Sequence, residues 1–351
     1  MNNLTIEKAA VQFGKGIPSI SSLGEGLIHR TYKVNFTESN AIVLQCINQT
    51  TFSQPENIIN NYLLIQDYIG GQPGVKIPRL FKTRDNKYYW RDAEENFWRA
   101  TEFIDNSYAP AIPANANEVF TAARCFAGFT KTLGGLNTDQ FDIIIPGFHN
   151  LSFRYQQFEE AVKAAHIKKL LKATHVISEI RNHLALVNFY EEVEKHTTDY
   201  PVRIMHHDCK ISNILFDTHT HAAICPVDLD TVMPGKYFSD IGDMIRTMAC
   251  TEEENSTAWE TIDVKPDYYN AIINGYLEGM GDHLTQPEKK NIHKAGLLLT
   301  YMQCIRFVTD FLNNDIYYKT VYPEQNLNRA LNQLILLEKL EAFVVVNNRS
   351  L

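Results

Sequence analysis

The sequence predicts an α+β chain in two lobes, a small β-rich lobe over residues 1–105 and a larger, mainly helical lobe over residues 106–351. Three observations carry this. Runs rich in β-formers dominate up to residue 105. The segment Asn106–Asn117, with Pro110 and Pro113, interrupts the pattern. Beyond it amphipathic helical spacing takes over, broken by one strand-like island from Arg203 to Asp228.

Leu27–Phe36 is dense in β-formers, and Ala41–Ile47 is a short apolar run bounded by Ser39-Asn40 and Asn48. Both read as strands. In Pro55–Ile69 the apolar residues Ile58, Ile59, Tyr62, Leu63, Ile65 and Ile69 recur at helical spacing. Pro55 suits the first turn, and Gly70-Gly71 ends the helix. Pro78–Lys82, Tyr88–Trp90 and Phe97–Ile104 read as three more strands, with Asp85-Asn86 as a turn between the first two. In the second lobe Glu118–Leu133 is amphipathic and closes on Gly134-Gly135. Ser152–Lys172, Ser178–Lys195, Pro266–Leu277, Pro287–Leu312 and Asn326–Val346 read as further helices.

Composition narrows the class. Apolar types reach 44% and aromatic types 11%, which is enough to bury a core and excludes disorder as the main state. The 41 acidic residues outnumber the 33 basic ones for a net charge of −8, which argues against a nucleic-acid binder. No apolar run approaches the length of a membrane span. The start, MNNLTIEKAAVQF, lacks the basic and apolar regions of a secretory signal. Six scattered cysteines include no CxxC pair. They read as free thiols in a reducing, cytoplasmic setting.

The island holds the chemistry. His206-His207-Asp208-Cys209-Lys210-Ile211-Ser212-Asn213 leads into Ile214-Leu215-Phe216, a turn over Asp217–His221, and a second apolar stretch ending at Val227-Asp228-Leu229-Asp230. The pattern is H-x-D-x-x-x-x-N, a hairpin, then an aspartate. Phosphoryl transfer requires a carboxylate that orients the acceptor hydroxyl and takes its proton, here Asp208. It also requires oxygen ligands for Mg²⁺ on the nucleotide phosphates, here Asn213 and Asp228. Lys210 offers a charge to the transferring phosphoryl. Taken singly, Asp208 and Asn213 fit turn caps; the ordered set fits that poorly. Upstream, Leu23-Gly24-Glu25-Gly26-Leu27 precedes a strand. Gly24 and Gly26 would let backbone approach phosphates, although two glycines alone also fit a hairpin turn. No GxxxxGK[ST] occurs, which removes the simple P-loop reading.

This set resembles the aminoglycoside phosphotransferase and choline kinase superfamily, whose fold is protein-kinase-like and bilobal. More narrowly the chain is similar to the N-acetylhexosamine 1-kinases in Val43–Asn48 (VLQCIN), Phe97–Ile104 (FWRATEFI), Val227–Gly235 (VDLDTVMPG) and Ile305–Leu312 (IRFVTDFL). The resemblance spans residues 20 to 320 or so. It implies ATP and Mg²⁺ as cofactors, Asp208 as the base, and Asn213 and Asp228 as metal ligands. Glu102, Phe103 and Ile104 would form the hinge whose backbone meets adenine. Asp240 would brace the catalytic loop, or cap the next helix. Arg306 would contact the sugar or phosphate, or else pair with Asp310 one turn on. His29 would reach the sugar, or be an exposed structural histidine. Tyr317, Tyr318 and Lys319 would close the acceptor pocket, or pack on the core.

Three departures stand out. The strand that usually bears the phosphate-binding lysine reads Leu44-Gln45-Cys46, with Gln45 in the lysine's position. His207 stands where relatives usually carry glycine. The glutamate of the following helix has no clear counterpart, although Glu56 opens that helix. The leading expectation is a cytoplasmic kinase acting on the anomeric hydroxyl of N-acetylglucosamine or N-acetylgalactosamine, with a small-molecule sugar as its partner and no nucleic acid, membrane or obligate protein partner. The alternatives are another acceptor (an aminoglycoside, choline, homoserine or another sugar) and a nucleotide-binding pseudokinase. Glu252-Glu253-Glu254 could serve a polycation and Tyr268, Tyr269 and Tyr276 a choline cage, against the plainer readings of a solvated loop and a packed helix face.

Overall fold

The structure is a computed structural model that describes residues 3–24, 28–71 and 74–348. In chain order its elements begin with α1 (Asn3–Phe13), β1 (Pro18–Ser22), β2 (Arg30–Phe36), β3 (Ile42–Cys46), α2 (Pro55–Ile69), β4 (Trp90–Arg91), β5 (Phe97–Glu102) and β6 (Ser107–Tyr108). Then come α3 (Ala116–Thr132), α4 (Leu151–Ala164), α5 (Ile167–Asn182), α6 (Leu184–Lys195), β7 (Arg203–Met205), β8 (Ile214–Asp217), β9 (Ala223–Pro226) and β10 (Met233–Gly235). The chain ends with α7 (Phe238–Met248), α8 (Pro266–Met280), α9 (Gln286–Lys290), α10 (Lys294–Leu312) and α11 (Gln325–Asn348). The α+β architecture expected from the sequence is the one observed.

Two compact units divide the chain. The smaller takes the chain up to Tyr108 and also gathers Gly135–Ile145 and Leu215–Met233; the larger takes the rest. The first crossing, at Tyr108, falls close to the composition change near residue 106.

In the smaller unit an antiparallel sheet runs β1-β2-β3-β5-β4. Ile6, Ala9, Ala10 and Phe13 of α1 pack with Val34, Ile42, Leu44 and Ala100 of the sheet. Neither α1 nor β1 was anticipated from the sequence. β3 alternates buried and half-buried residues, as a strand with one core face should. β5 is buried along Phe97, Trp98, Arg99, Ala100 and Thr101, and so is enclosed on both faces. The register pairs Gln45 with Arg99. Pro78–Lys82 is a correction: it makes only an isolated bridge, Leu80 to Thr101. Its backbone is shared between β5 and α2: the Phe81 N–H donates to Ala100 O and Arg79 O accepts from the Glu102 N–H, while Gln66 Oε1 accepts from the Leu80 N–H at 2.7 Å and the Tyr62 hydroxyl donates to Pro78 O at 2.5 Å. The Tyr88–Trp90 strand shrinks to β4. A second small sheet orders β6-β8-β9.

In the larger unit α7 and α10 form the buried centre. All but two residues of α7 are buried, and α10 buries residues around its whole circumference. α3 and α8 pack closely because α8 offers glycine: a Cβ on Gly275 would lie 2.4 Å from Phe120 O. The expected helices Ser152–Lys172 and Ser178–Lys195 are three, not two. Ala165 and His166 are extended, and the His166 Nδ1 accepts from the Lys168 N–H at 3.2 Å, starting α5 afresh. Pro287–Leu312 likewise splits, with a Thr285–Glu288 capping box opening α9 and α10 starting at Lys294.

Candidate active site

The catalytic-loop motif follows β7 in the larger unit, and its backbone is held by two aspartates of α7. Asp240 accepts from the His206 N–H at 3.1 Å and the His207 N–H at 2.8 Å; Thr130 also donates to it. It sits in the first turn of α7, where a carboxylate also meets the helix dipole. Asp243, one turn on, accepts from the Cys209 N–H at 2.8 Å and is gripped by Arg246, which also reaches Glu254. Burial pushes the Asp243 carboxyl up, and neighbouring Asp208 adds to that, against Arg246. The bracing role expected for Asp240 is thus visible as geometry. Asp243 and Arg246 went unnoticed in the sequence, although an Asp-x-x-Arg step after the motif was their signal.

Asp208 is half-buried. Its Oδ2 lies 3.0 Å from Lys210 Nζ, and Asn213 Nδ2 donates to that same oxygen and to the Asp208 carbonyl, both at 2.9 Å. Burial pushes its carboxyl up, but Lys210, His206 and these hydrogen bonds outweigh it and hold it below the usual carboxylate range. Asn213 spends its NH₂ on Asp208, which turns its carbonyl oxygen outward as a hard ligand suited to Mg²⁺.

His207 adopts the left-handed conformation, φ 67°, which glycine would take without a steric cost. Its ring offsets the strain. Nδ1 lies 2.5 Å from Ser239 Oγ, and the ring fills space next to Gly235, where a Cβ would lie 2.4 Å from His207 Cε1. His149 meets the same hydroxyl from the other side. Burial and the nearby His207 push the His149 imidazole well below its ordinary pKa.

Phe148 stacks on His149 and lies edge-on to His207, and its other neighbour is the Arg306 guanidinium, 5.0 Å from the ring centre. Arg306 also faces Tyr317 and Tyr318 at 5.8 and 5.5 Å, and donates to Gln303 Oε1 at 3.0 Å. It does not pair with Asp310. That carboxylate instead accepts from the Tyr317 and Tyr318 N–H groups and from Asn326, fixing the loop after α10. Arg306 and Arg154 line a cavity of about 410 Å³ with Gln157, Glu160, Thr309, Asp310, Tyr317 and Tyr318. Burial and the facing Arg306 lower Arg154 to about 10. Among the described residues neither arginine makes an ion pair. Tyr317 is 55% exposed, so it is not packed into the core as the plainer reading had it. Arg154 was missed, because nothing in its local sequence marks it.

The remaining residues lie in the smaller unit. Asp228 follows β9 in a left-handed conformation, φ 58°, at the entry to a short 3₁₀ turn. Asp230 lies two residues on, with Oδ1 2.5 Å from Arg99 Nη1 and Oδ2 2.7 Å from His29 Nε2. Burial works against the ionised Asp230, but Arg99 and His29 hold its carboxyl well below the usual range. Ligand atoms of His29, Asp228 and Asp230 lie within 4.8 Å of one another. Asp230 commits both oxygens within the protein, so the donor set suits a metal held through Asp228. His29 is buried, not exposed. Its Nδ1 accepts from the Asn48 N–H at 3.0 Å and its Nε2 faces Asp230.

Gln45 Oε1 accepts from Arg99 Nε and Nη2 at 3.0 and 2.8 Å, and its Nε2 donates to Thr31. Glu102 ends β5, with its N–H donating to Arg79 O. Lys33 Nζ lies 3.7 Å over the Phe103 ring, and Ile104 O accepts from the Ser107 hydroxyl at 2.6 Å. Gly24 has φ 71° and open space where a Cβ would sit. Gly26 lies outside the described residues. Glu56 pairs with Arg91 at 2.5 Å.

The model of a phosphotransferase enzyme family matches residues 19–282 of the chain. The chain belongs to this family. The phosphotransferase is also similar in fold to solved structures. One is an aminoglycoside phosphotransferase from Alicyclobacillus acidocaldarius (16% identity, TM-score 0.65, covering 98% of this chain and 95% of that one). Another is a microcompartment-associated aminopropanol kinase (14%, 0.68, 98% of each). A third is a choline kinase from Cryptosporidium parvum (15%, 0.51, 95% and 92%). At these identities the likeness speaks to the fold.

Proposed function

We propose that this phosphotransferase is an ATP- and Mg²⁺-dependent kinase that phosphorylates the anomeric hydroxyl of N-acetylglucosamine or N-acetylgalactosamine. The observation that carries the reaction type is the Asp208 carboxylate, held ionised by Lys210 and Asn213 on a loop anchored by two buried aspartates. In this reading Asp208 orients the acceptor hydroxyl and takes its proton as the new O–P bond forms and ADP departs. Lys210 offsets charge on the moving phosphoryl. Asn213 and Asp228 are the residues that would hold Mg²⁺, which would neutralise charge on the phosphates. Little covalent work falls to the protein, and the rate comes from positioning and charge. Gly24, Gly26 and the backbone of Glu102–Ile104 receive the nucleotide, and Arg306 and Tyr317 belong to the acceptor side; His29, expected there too, spends both ring nitrogens on Asn48 and Asp230.

The choice of a neutral acceptor rests on the Arg154–Arg306 cavity. Its two arginines are matched by two acidic residues of the same lining, Glu160 and Asp310, so the cavity carries no net charge and suits a neutral polar acceptor. The acidic run offers no alternative, since Glu252 accepts from Thr261 and Ser256, and Glu254 pairs with Arg246. Tyr269 and Tyr276 are buried, and the Tyr268 hydroxyl donates to Pro113 O, so no aromatic cage forms from them. A pseudokinase is disfavoured because the base, its lysine and both metal ligands are retained. Six free thiols, five of them buried, support a reducing compartment such as the cytoplasm.

ADP release with Mg·ATP tests the reading against N-acetylglucosamine, N-acetylgalactosamine, glucose, galactose, choline, homoserine and kanamycin. Turnover on the N-acetylhexosamines, with phosphate on the anomeric oxygen, is expected. Turnover on choline or kanamycin alone would discard the acceptor, and binding of Mg·ATP with no turnover on any acceptor would favour the pseudokinase.

A further inference from the structure

The lysine missing from β3 leaves a question of charge that the smaller unit answers. Arg99 stands on the neighbouring strand, directly across from Gln45 in the register. It is 2% exposed, a guanidinium inside a strand enclosed on both faces. Its Nε and Nη2 fork onto the single oxygen Gln45 Oε1, and Nη1 reaches Asp230. Because that oxygen is taken by Arg99, the Gln45 amide is turned as an acceptor. A lysine there would set an ammonium against the guanidinium with nothing between them. Glutamine on β3 and arginine on β5 therefore form one unit, in which the cation has moved across one strand.

Its target differs as well. All three donating nitrogens of Arg99 are engaged inside the protein, so it is not directed at a phosphate. It acts on Asp230, which His29 holds from the other side. Asp230 lies in the 3₁₀ turn that Asp228 enters in a left-handed conformation. The far side of that turn is fixed too, since Asn61 Nδ2 donates to Val232 O at 3.0 Å. The turn has little freedom left, and the backbone from which the Asp228 side chain projects is set with it.

Resting on the kinase reading, we propose that Arg99 is a positioning residue that replaces the β3 lysine: through Asp230 it fixes the turn that aims Asp228 at the metal ion, with Gln45 as its seat. The role is toward the metal, not the nucleotide. Calorimetric titration with ADP, with and without Mg²⁺, separates the two, and thermal melting reports the fold.

In Arg99→Gln/Asp230→Asn both charges go together, so no buried charge is stranded. The expected result is a loss of Mg²⁺-dependent affinity of about tenfold or more, with metal-free ADP affinity unchanged. Arg99→Lys keeps a charge for Asp230 but cannot fork onto Gln45, and should fall between the double variant and wild type. Gln45→Lys/Arg99→Gln returns the cation to β3 and should recover part of the Mg²⁺ dependence. A folded double variant with wild-type Mg²⁺ dependence overturns the role. Should the double variant melt out, wild-type Mg²⁺ dependence in Arg99→Lys together with none recovered by the transplant overturns it equally. A wild-type chain that binds neither ADP nor Mg·ADP overturns the kinase reading and this role with it.

Discussion

The catalytic loop of the larger unit and the Arg99 corner of the smaller one solve the same problem by opposite means. Each must hold an aspartate in a fixed direction. The loop does it locally: Asp208 is met by Lys210 and Asn213 from its own eight-residue motif, and only the backbone anchors, Asp240 and Asp243, come from α7. The Arg99 corner does it across the sheet, with side chains from β3, β5 and the segment after β9 closing one buried network. The local device gives a motif that can be read by eye. The distributed device gives none, yet it carries the larger electrostatic stakes, because both partners are nearly inaccessible to water.

The comparison can be broken or sharpened in order of effect. Asp208→Asn should lower turnover by about 10²–10⁴-fold, with ADP affinity and melting temperature nearly unchanged; ADP release and calorimetry read both. A loss of folding instead would mean that the loop depends on its own carboxylate as the Arg99 corner does. Arg99→Gln alone should destabilise the fold by about 3–5 kcal/mol in urea unfolding, since it leaves Asp230 buried with one cation fewer. The double Arg99→Gln/Asp230→Asn should recover much of that, and a double variant no better than the single would deny that the two act as a pair. Gly235→Ala should cost about 1–3 kcal/mol, because its Cβ enters the space of the buried His207 ring, and the loop should lose activity with it. Glu278→Ala, which breaks the exposed pair with Arg124 at 3.0 Å, should change stability by less than about 1 kcal/mol. It calibrates the rest.

Much of the fold was legible because it is written locally. α2 begins at Pro55 and ends at Ile69 as its spacing implied, and β3 and β5 fall inside their apolar runs. The H-x-D-x-x-x-x-N motif was readable for the same reason. What escaped notice was decided by distant partners. Pro78–Lys82 has strand composition, but α2 side chains take two of its backbone groups and its pairing with β5 stops at one bridge. The break at Ala165-His166 depends on a histidine cap that periodicity does not register. The Arg306–Asp310 pairing fits helical spacing and fails because the following loop claims the carboxylate. The Arg99 corner did leave one trace. A charged residue in the middle of Phe97–Thr101, otherwise buried throughout, demands a buried counter-charge, and the second aspartate of Val227–Asp230 was the available one.

The discontinuity of the smaller unit has a consequence for synthesis. Its five-stranded sheet is complete once Glu102 has left the ribosome, but its last segment, Leu215–Met233, arrives more than a hundred residues later. Until then Arg99 sits in a nascent sheet with Gln45 and without Asp230. The sheet can close over that guanidinium only once the carboxylate has emerged, so Asp230 acts as a latch on the order of folding. A nascent or truncated chain that stops before it carries a half-built core with an unmatched cation, the kind of intermediate that chaperones hold.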